Sequence, residues 1–343
     1  MVKIRRRATV VLTVAALGIA TMTGCSGSDD SATTDTTATA GDTAKTSASG
    51  AEESFPRTVT DAKGEVTIDA KPQRVVSTSP SMTGTLLALG VPVVASAGAP
   101  VTDLTDGDGF FMQWAEIAHD RGVKVAYPRL DIDLDAVDSF APDLIIGSVV
   151  GGDAVNNEYA QLREISTTVM VDYLDLSWQE QTRFLAKATG TEDKAEELIA
   201  EYQKKAQKAA ETITAPPEPA LIGFYRAAEG LMVPAPSTQH GDILRDLGIT
   251  VGDVNDSVSQ QTRPDLRMVS RENMAAALAD VGSVFLLQTG TESPVAAFSE
   301  DPLVSTVPAV QEGHVYIFGE YAWRLDYYSA LLTIDSIVEQ LTR

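Results

Sequence analysis

Within residues 191–213 (TEDKAEELIAEYQKKAQKAAETI), apolar side chains recur at three- and four-residue steps, through Ala195, Leu198, Ile199, Tyr202, Ala206, Ala209, Ala210 and Ile213. That period places them on one stripe of an amphipathic helix. Thr191 stands at the N-cap position, Glu192 and Asp193 occupy the first turn, and Ala215-Pro216-Pro217 ends the helix. About 21 residues at ~1.5 Å each reach roughly 30 Å, enough to cross from one lobe of a protein to another, and the helix itself is expected to carry no ligand contact.

On both sides of this helix, short apolar runs alternate with helical periodicity, which predicts two α/β lobes with mostly parallel sheets. Before it, residues 57–68 alternate around Lys63-Gly64 as a hairpin. Strands at 74–78, 91–95, 123–127, 143–148 and 168–171 then interleave with helices at 82–89, 110–120, 135–140, 155–165 and 178–189. After it, strands at 220–225, 249–254, 283–288 and 314–318 accompany helices at 238–247, 271–278 and 325–341, and 257–262 reads as a polar loop. The halves echo each other. Each has a strand, a loop, a helix ending Leu-Gly (Leu89-Gly90 and Leu247-Gly248), then a short β-branched run. Each also has an acid, Asp135 or Glu272, eight positions before an aspartate that opens an apolar run, Asp143 or Asp280. The echo puts Asp135 and Glu272 at equivalent points of the two lobes.

The first 24 residues pair basic Lys3, Arg5, Arg6 and Arg7 with an apolar run over 8–20, and Met22-Thr23-Gly24 precedes Cys25, the sole cysteine. This reads as a lipoprotein signal peptide with Cys25 lipidated; a secretory signal with an incidental cysteine is the alternative. The following stretch to Glu53 has no aromatic or large aliphatic residue and predicts a flexible tether. The expected organisation is a signal peptide (1–24), a tether (25–54), an N-terminal lobe (55–190), the interlobe helix (191–214) and a C-terminal lobe (215–343). The protein is expected outside the cytoplasm, anchored at the outer face of the cytoplasmic membrane and monomeric.

A formal charge of −22 argues against nucleic acid as partner, because phosphate binding needs a basic face. His119, His240 and His314 lie far apart, and the chain has no His-x-x-x-His, Cys-x-x-Cys, Gly-x-Ser-x-Gly or P-loop pattern. Neither catalysis, a metal centre nor an intrinsic cofactor is expected. In so acidic a chain, arginines at strand ends are conspicuous: Arg129, Arg226, Arg263 and Arg324. Tyr127, Tyr225, Tyr321 and Trp323 accompany them, and Ser79 lies in the serine-rich turn after the first strand. Guanidinium groups satisfy anionic oxygens and stack on rings, so the set suits a bulky, flat, anionic ligand in an interlobe cleft. The plain alternative for each arginine is a surface ion pair.

Five segments carry a resemblance: RVVSTSPSMTGTLLALGVPVVASA (74–97), GFFMQWAEIA (109–118), APDLIIGSVVGGDA (141–154), DLSWQEQ (175–181) and WRLDYYSALLTIDSI (323–337). The chain resembles the ferric-siderophore binding proteins of ABC importers, in particular those for ferric enterobactin, from about Pro56 to the C-terminus. The resemblance implies a single-helix-linked substrate-binding protein. Its transported ligand would be a ferric catecholate siderophore whose iron is already fully coordinated, so that the protein offers cations and rings but no metal ligand. It further implies that Asp135 and Glu272 dock onto arginines of an ABC permease dimer served by its ATPase, although family members more often have glutamate at the first site. Arg324 falls in the last of these five segments and Arg263 in a further stretch that resembles the ferric enterobactin proteins, while Arg129 and Arg226 do not match them clearly. Haem, a cobalamin or a hydroxamate siderophore is the alternative ligand, with Tyr225 or His240 available as an axial group for haem. An extracytoplasmic hydrolase of siderophore esters is the alternative from another class.

Overall fold

Asp61 turns the chain at its first hairpin, where its Oδ1 accepts the backbone N–H groups of Lys63 at 2.7 Å and Gly64 at 2.9 Å. A computed structural model describes residues 54–263, 265–288 and 293–342. The signal peptide, Cys25 and all of the tether but Ser54 lie outside the described residues. The hairpin pairs β1 (Arg57–Asp61) with β2 (Gly64–Ile68). It also closes onto the first lobe, because the Met170 N–H donates to Asp61 Oδ2 at 2.8 Å.

The first lobe contains β3 (Val75–Ser77), α1 (Pro80–Ala88), β4 (Val93–Ser96), α2 (Met112–Asp120), β5 (Lys124–Val125) and α3 (Leu134–Ser139). It continues with β6 (Leu144–Ser148), α4 (Tyr159–Ile165), β7 (Thr168–Val171) and α5 (Trp178–Thr189). Its sheet runs β5-β4-β3-β6-β7 with every pairing parallel. β3 and β6 are buried along their whole length, as a parallel sheet covered by helices on both faces requires.

The long helix, α6 (Glu192–Thr212), follows. Beyond it come β8 (Ala220–Arg226), β9 (Gly230–Pro234), α7 (Gln239–Asp246), β10 (Gln260–Arg263), β11 (Leu266–Ser270) and a 3-10 turn (Arg271–Asn273). The chain ends with α8 (Met274–Ala277), β12 (Ser283–Leu287), α9 (Pro294–Ser299), α10 (Pro308–Gln311), β13 (Val315–Gly319) and α11 (Tyr327–Leu341). The second sheet is mixed, in the order β10-β11-β9-β8-β12-β13. Only β8, β12 and β13 pair in parallel; β9, β11 and β10 form an antiparallel extension.

Two local expectations fail here. The expected polar loop at 257–262 ends in a strand: Gln260–Arg263 is exposed throughout, so no alternation marks it, yet it pairs with β11. The run at 249–254, expected as a strand, makes only an isolated bridge from Val251 to Ala220. The internal echo is therefore local. Gly90 (φ +74°) and Gly248 (φ +79°) both end helices in the left-handed region. After each, the next N–H donates to the carbonyl five residues back, Val91 to Leu86 at 3.0 Å and Ile249 to Leu244 at 2.9 Å.

The apolar stripe of α6 is buried at Ala195, Leu198, Ile199, Tyr202, Ala206 and Ala209. Tyr202 meets Trp178 of α5 edge-on at 4.9 Å, and its hydroxyl donates to Asp246 of α7 at 2.8 Å. One residue thus ties α6 to both lobes. A second connection is made where α11 begins. Asp326 caps that helix by accepting the Ser329 N–H at 2.8 Å, and it lies against α1 so closely that a Cβ on Gly84 would stand 2.3 Å from Asp326 Oδ2. Full burial pushes the Asp326 carboxyl up to about 6, against the hydrogen bonds from Ser329.

Candidate interlobe binding cleft

A cleft of about 940 Å³ opens between the lobes. Ser81, Gly151 and Tyr173 line it beyond the C-terminal ends of β3, β6 and β7, and Leu287 and Trp323 line it from the ends of β12 and β13. The carboxyl ends of strands are the usual ligand position in open α/β sheets.

Arg324 spans this cleft. It follows β13 in the second lobe, yet its Nη1 donates to the Ser81 hydroxyl and, at 3.2 Å, to the Tyr173 hydroxyl of the first lobe. Behind these two lies Asp153, whose side chain is 1% exposed and 3.7 Å from Arg324 Nη1. Asp153 Oδ1 accepts from Tyr173 at 2.8 Å; Oδ2 accepts from Ser81 at 2.9 Å and from Ser79. Burial, and then the Asp153 charge, push the Tyr173 hydroxyl up to about 12, so it remains a proton donor. Gly151 makes the arrangement possible: it holds φ +79°, and a Cβ there would stand 1.8 Å from the Tyr173 hydroxyl oxygen. The guanidinium carbon lies 5.8 Å from the ring centroids of Phe111 and Tyr173. Asp153 and Tyr173 have no role in the sequence reading, although the Gly-Gly-Asp turn holding Asp153 is inside one of the resembling segments.

On the other wall, Trp323 is 41% exposed and packs on Phe224 at 5.2 Å. Arg263 also lines the cleft, engaged in both directions by one carboxylate: Nε to Asp265 Oδ1 at 3.1 Å and Nη2 to Oδ2 at 2.9 Å. Arg183 of α5 is a third lining arginine, not singled out in the sequence because it sits on a helix face, and it pairs with Glu196 at 2.7 Å. Against these three arginines, the lining includes five carboxylates: Asp175, Glu180, Asp242, Asp246 and Asp265. The cleft is a field of matched pairs rather than a basic bowl.

Other expected binding residues are placed elsewhere. Arg226 stacks over Phe224 at 4.9 Å and pairs with Glu229 at 3.3 Å on the β8–β9 turn, outside the cleft lining. Arg129 is exposed after β5 with φ +56°. Tyr127 is buried and donates to the Thr78 carbonyl at 3.0 Å. Tyr225 donates to Asp301 at 2.7 Å and abuts Phe298. Ser79 is buried and reaches the cleft only through Asp153. α6, expected to stay clear of ligand, contributes Ile199 and Gln203 to the lining.

His240 also lines the cleft, and its Nε2 donates to the Ala322 carbonyl at 2.8 Å. A carbonyl only accepts, so the proton is on Nε2 and the buried Nδ1 is a bare acceptor. Burial lowers the pKa of the ring and keeps it neutral. His119 pairs with Asp106 at 2.6 Å, a partner thirteen residues away that sequence proximity did not reveal. Among the described residues, no group of three or more His, Cys, Asp or Glu side chains is placed to hold a metal ion. Asp135 is exposed in the first turn of α3, and Glu272 is exposed in the 3-10 turn.

Two α/β lobes joined by a long helix, closing on an arginine that reaches from one to the other, define a bilobal solute-binding protein. Residues 75–322 match the periplasmic binding protein family, and the chain belongs to it. It is 37% identical over 289 residues to FepB, the ferric enterobactin-binding periplasmic protein of Escherichia coli, covering 82% of this chain and 90% of FepB. A 152-residue stretch is 32% identical to YfiY, a probable siderophore-binding lipoprotein of Bacillus subtilis, over 43% of each chain. The crystal structure of holo-ViuP matches with a TM-score of 0.74 at 30% identity, covering 84% of this chain and 99% of ViuP.

Proposed function

We propose that the protein captures a ferric catecholate siderophore, of the ferric enterobactin type, in the interlobe cleft and delivers it to an ABC permease for iron uptake. The observation that carries this reading is Arg324, fixed across the cleft beside Trp323 and the rings of Phe111 and Tyr173, in a chain 37% identical to FepB. A catecholate complex is anionic, aromatic and closed around its iron, so it asks for cations and ring faces and for no protein ligand to the metal. The protein itself needs no cofactor; the ferric siderophore is its cargo. Cys25 would be lipidated and hold the protein, as a monomer, at the outer face of the cytoplasmic membrane, a reading supported by the likeness to the lipoprotein YfiY. Asp135 and Glu272, exposed at helix starts on separate lobes, would dock onto the permease dimer served by its ATPase.

A neutral ferric hydroxamate is the second reading, favoured by the surplus of carboxylates over arginines on the cleft wall. Haem is less well supported, since Tyr225 donates to Asp301 and the His240 Nδ1 is buried. The test is capture followed by delivery. The protein is mixed with ferric enterobactin, a ferric trihydroxamate and haem, and the bound chromophore is read after gel filtration. Stoichiometric retention of the catecholate without turnover is expected, at a Kd below about 1 μM. Asp135→Lys with Glu272→Lys should retain capture and abolish uptake by cells. Retention of haem or the hydroxamate alone, or hydrolysis of the ligand, contradicts the reading.

A further inference from the structure

The two arginines best placed for ligand differ in how their charge is already used. Arg324 faces Asp153, which three hydroxyl groups pin inside the first lobe, so that carboxylate has nowhere to go. Arg263 faces Asp265, and this pair is exposed: 50% for the arginine side chain and 40% for the aspartate. The main chain of Asp265 is itself held, with the Ala235 N–H donating to the Asp265 carbonyl at 2.9 Å. The backbone therefore stays in place whether or not the Asp265 carboxylate remains on the guanidinium. Both oxygens of that carboxylate lie on the Nε–Nη2 edge, the fork that suits two adjacent anionic oxygens. A catecholate presents such a pair of oxygens.

We propose that Asp265 is a specificity-determining residue, a built-in occupant of Arg263 that an anionic ligand must displace. This deepens the siderophore-binding reading and rests on it. Asp265 occupies the arginine fork through both of its oxygens. A ligand with paired anionic oxygens takes over the fork, and Asp265 turns to solvent with its charge hydrated. A neutral ligand gains nothing from the exchange and leaves the pair intact. Asp265 thereby tempers the affinity for anions in general and favours those that can satisfy both N–H groups at once.

The test compares Asp265→Asn with the wild type, by equilibrium titration with trianionic ferric enterobactin and with a neutral ferric trihydroxamate. Asp265→Asn should bind the catecholate about two- to five-fold more tightly, the range that an exposed ion pair carries, and leave any trihydroxamate affinity unchanged. In an Arg263→Gln background the same substitution should have no effect. If Asp265 merely steadies Arg263, Asp265→Asn weakens catecholate binding; that result, or an unchanged affinity in a folded variant, overturns the inference alone. Failure of the wild type to bind the catecholate removes the proposed function and the inference together.

Discussion

Arg324 leaves the second lobe just after Trp323 and directs its charge at a carboxylate of the first. Asp153 is desolvated, and a buried carboxylate without its cation is costly, about 3–5 kcal/mol for a fully enclosed pair. The Arg324 side chain is 32% exposed, so solvent screens part of this and the lower end applies. Arg324→Ala should therefore lower the melting temperature as well as weaken ligand binding. Adding Asp153→Asn to Arg324→Ala should recover much of the lost stability while leaving binding weak, which a double-mutant cycle read by denaturant unfolding checks. A double variant no more stable than Arg324→Ala would show that the pair is not coupled. This residue was legible in the sequence as an arginine at a strand end next to an aromatic. Its partner was not, because Asp153 lies 171 positions earlier (324 − 153) and only the fold brings them together.

Among the elements, α6 was the most legible, since a long stripe at helical spacing with a proline stop admits few other conformations. The antiparallel extension was the least legible: β10 lacks alternation because both of its faces meet solvent, and β9 follows β8 after a short turn that broke no periodic pattern. The start of α11 carries a pH signature. The buried Asp326 titrates near 6 in the folded protein, above its ordinary value of 3.8. Its contribution to stability is thus fully present below about pH 4 and is lost as the pH rises through 6. Asn can cap the helix equally well without the charge. Asp326→Asn should therefore match the wild type near pH 3.5 and exceed it by on the order of 3 kcal/mol above pH 7, measured by urea unfolding across that range. A stability difference independent of pH would show that Asp326 is not the titrating group.

At the scale of the whole molecule, the lobes are linked by α6 and again by the Arg324–Asp326 segment, so the protein's own side chains span the cleft on one side. This geometry suits modest closure rather than a wide hinge, because a packed helix resists bending more than a pair of strands does. The sequence conveyed the two lobes through alternating periodicity and the class of site through its arginines and aromatics. It did not convey that the cleft arginines are matched by carboxylates, since pairings such as Arg183 with Glu196 and Arg263 with Asp265 depend on side-chain direction. The acidic net charge of −22 extends into the site itself, so selectivity must come from the placement of a few cations rather than from an attractive field. The most direct test of that view is to locate the metal by its anomalous X-ray scattering in a crystal of the protein grown with ferric enterobactin. The iron should lie in the interlobe cleft near Trp323 and Arg324, with ligand oxygens filling its coordination shell; an iron outside the cleft, or one bonded to a protein side chain, would contradict the account.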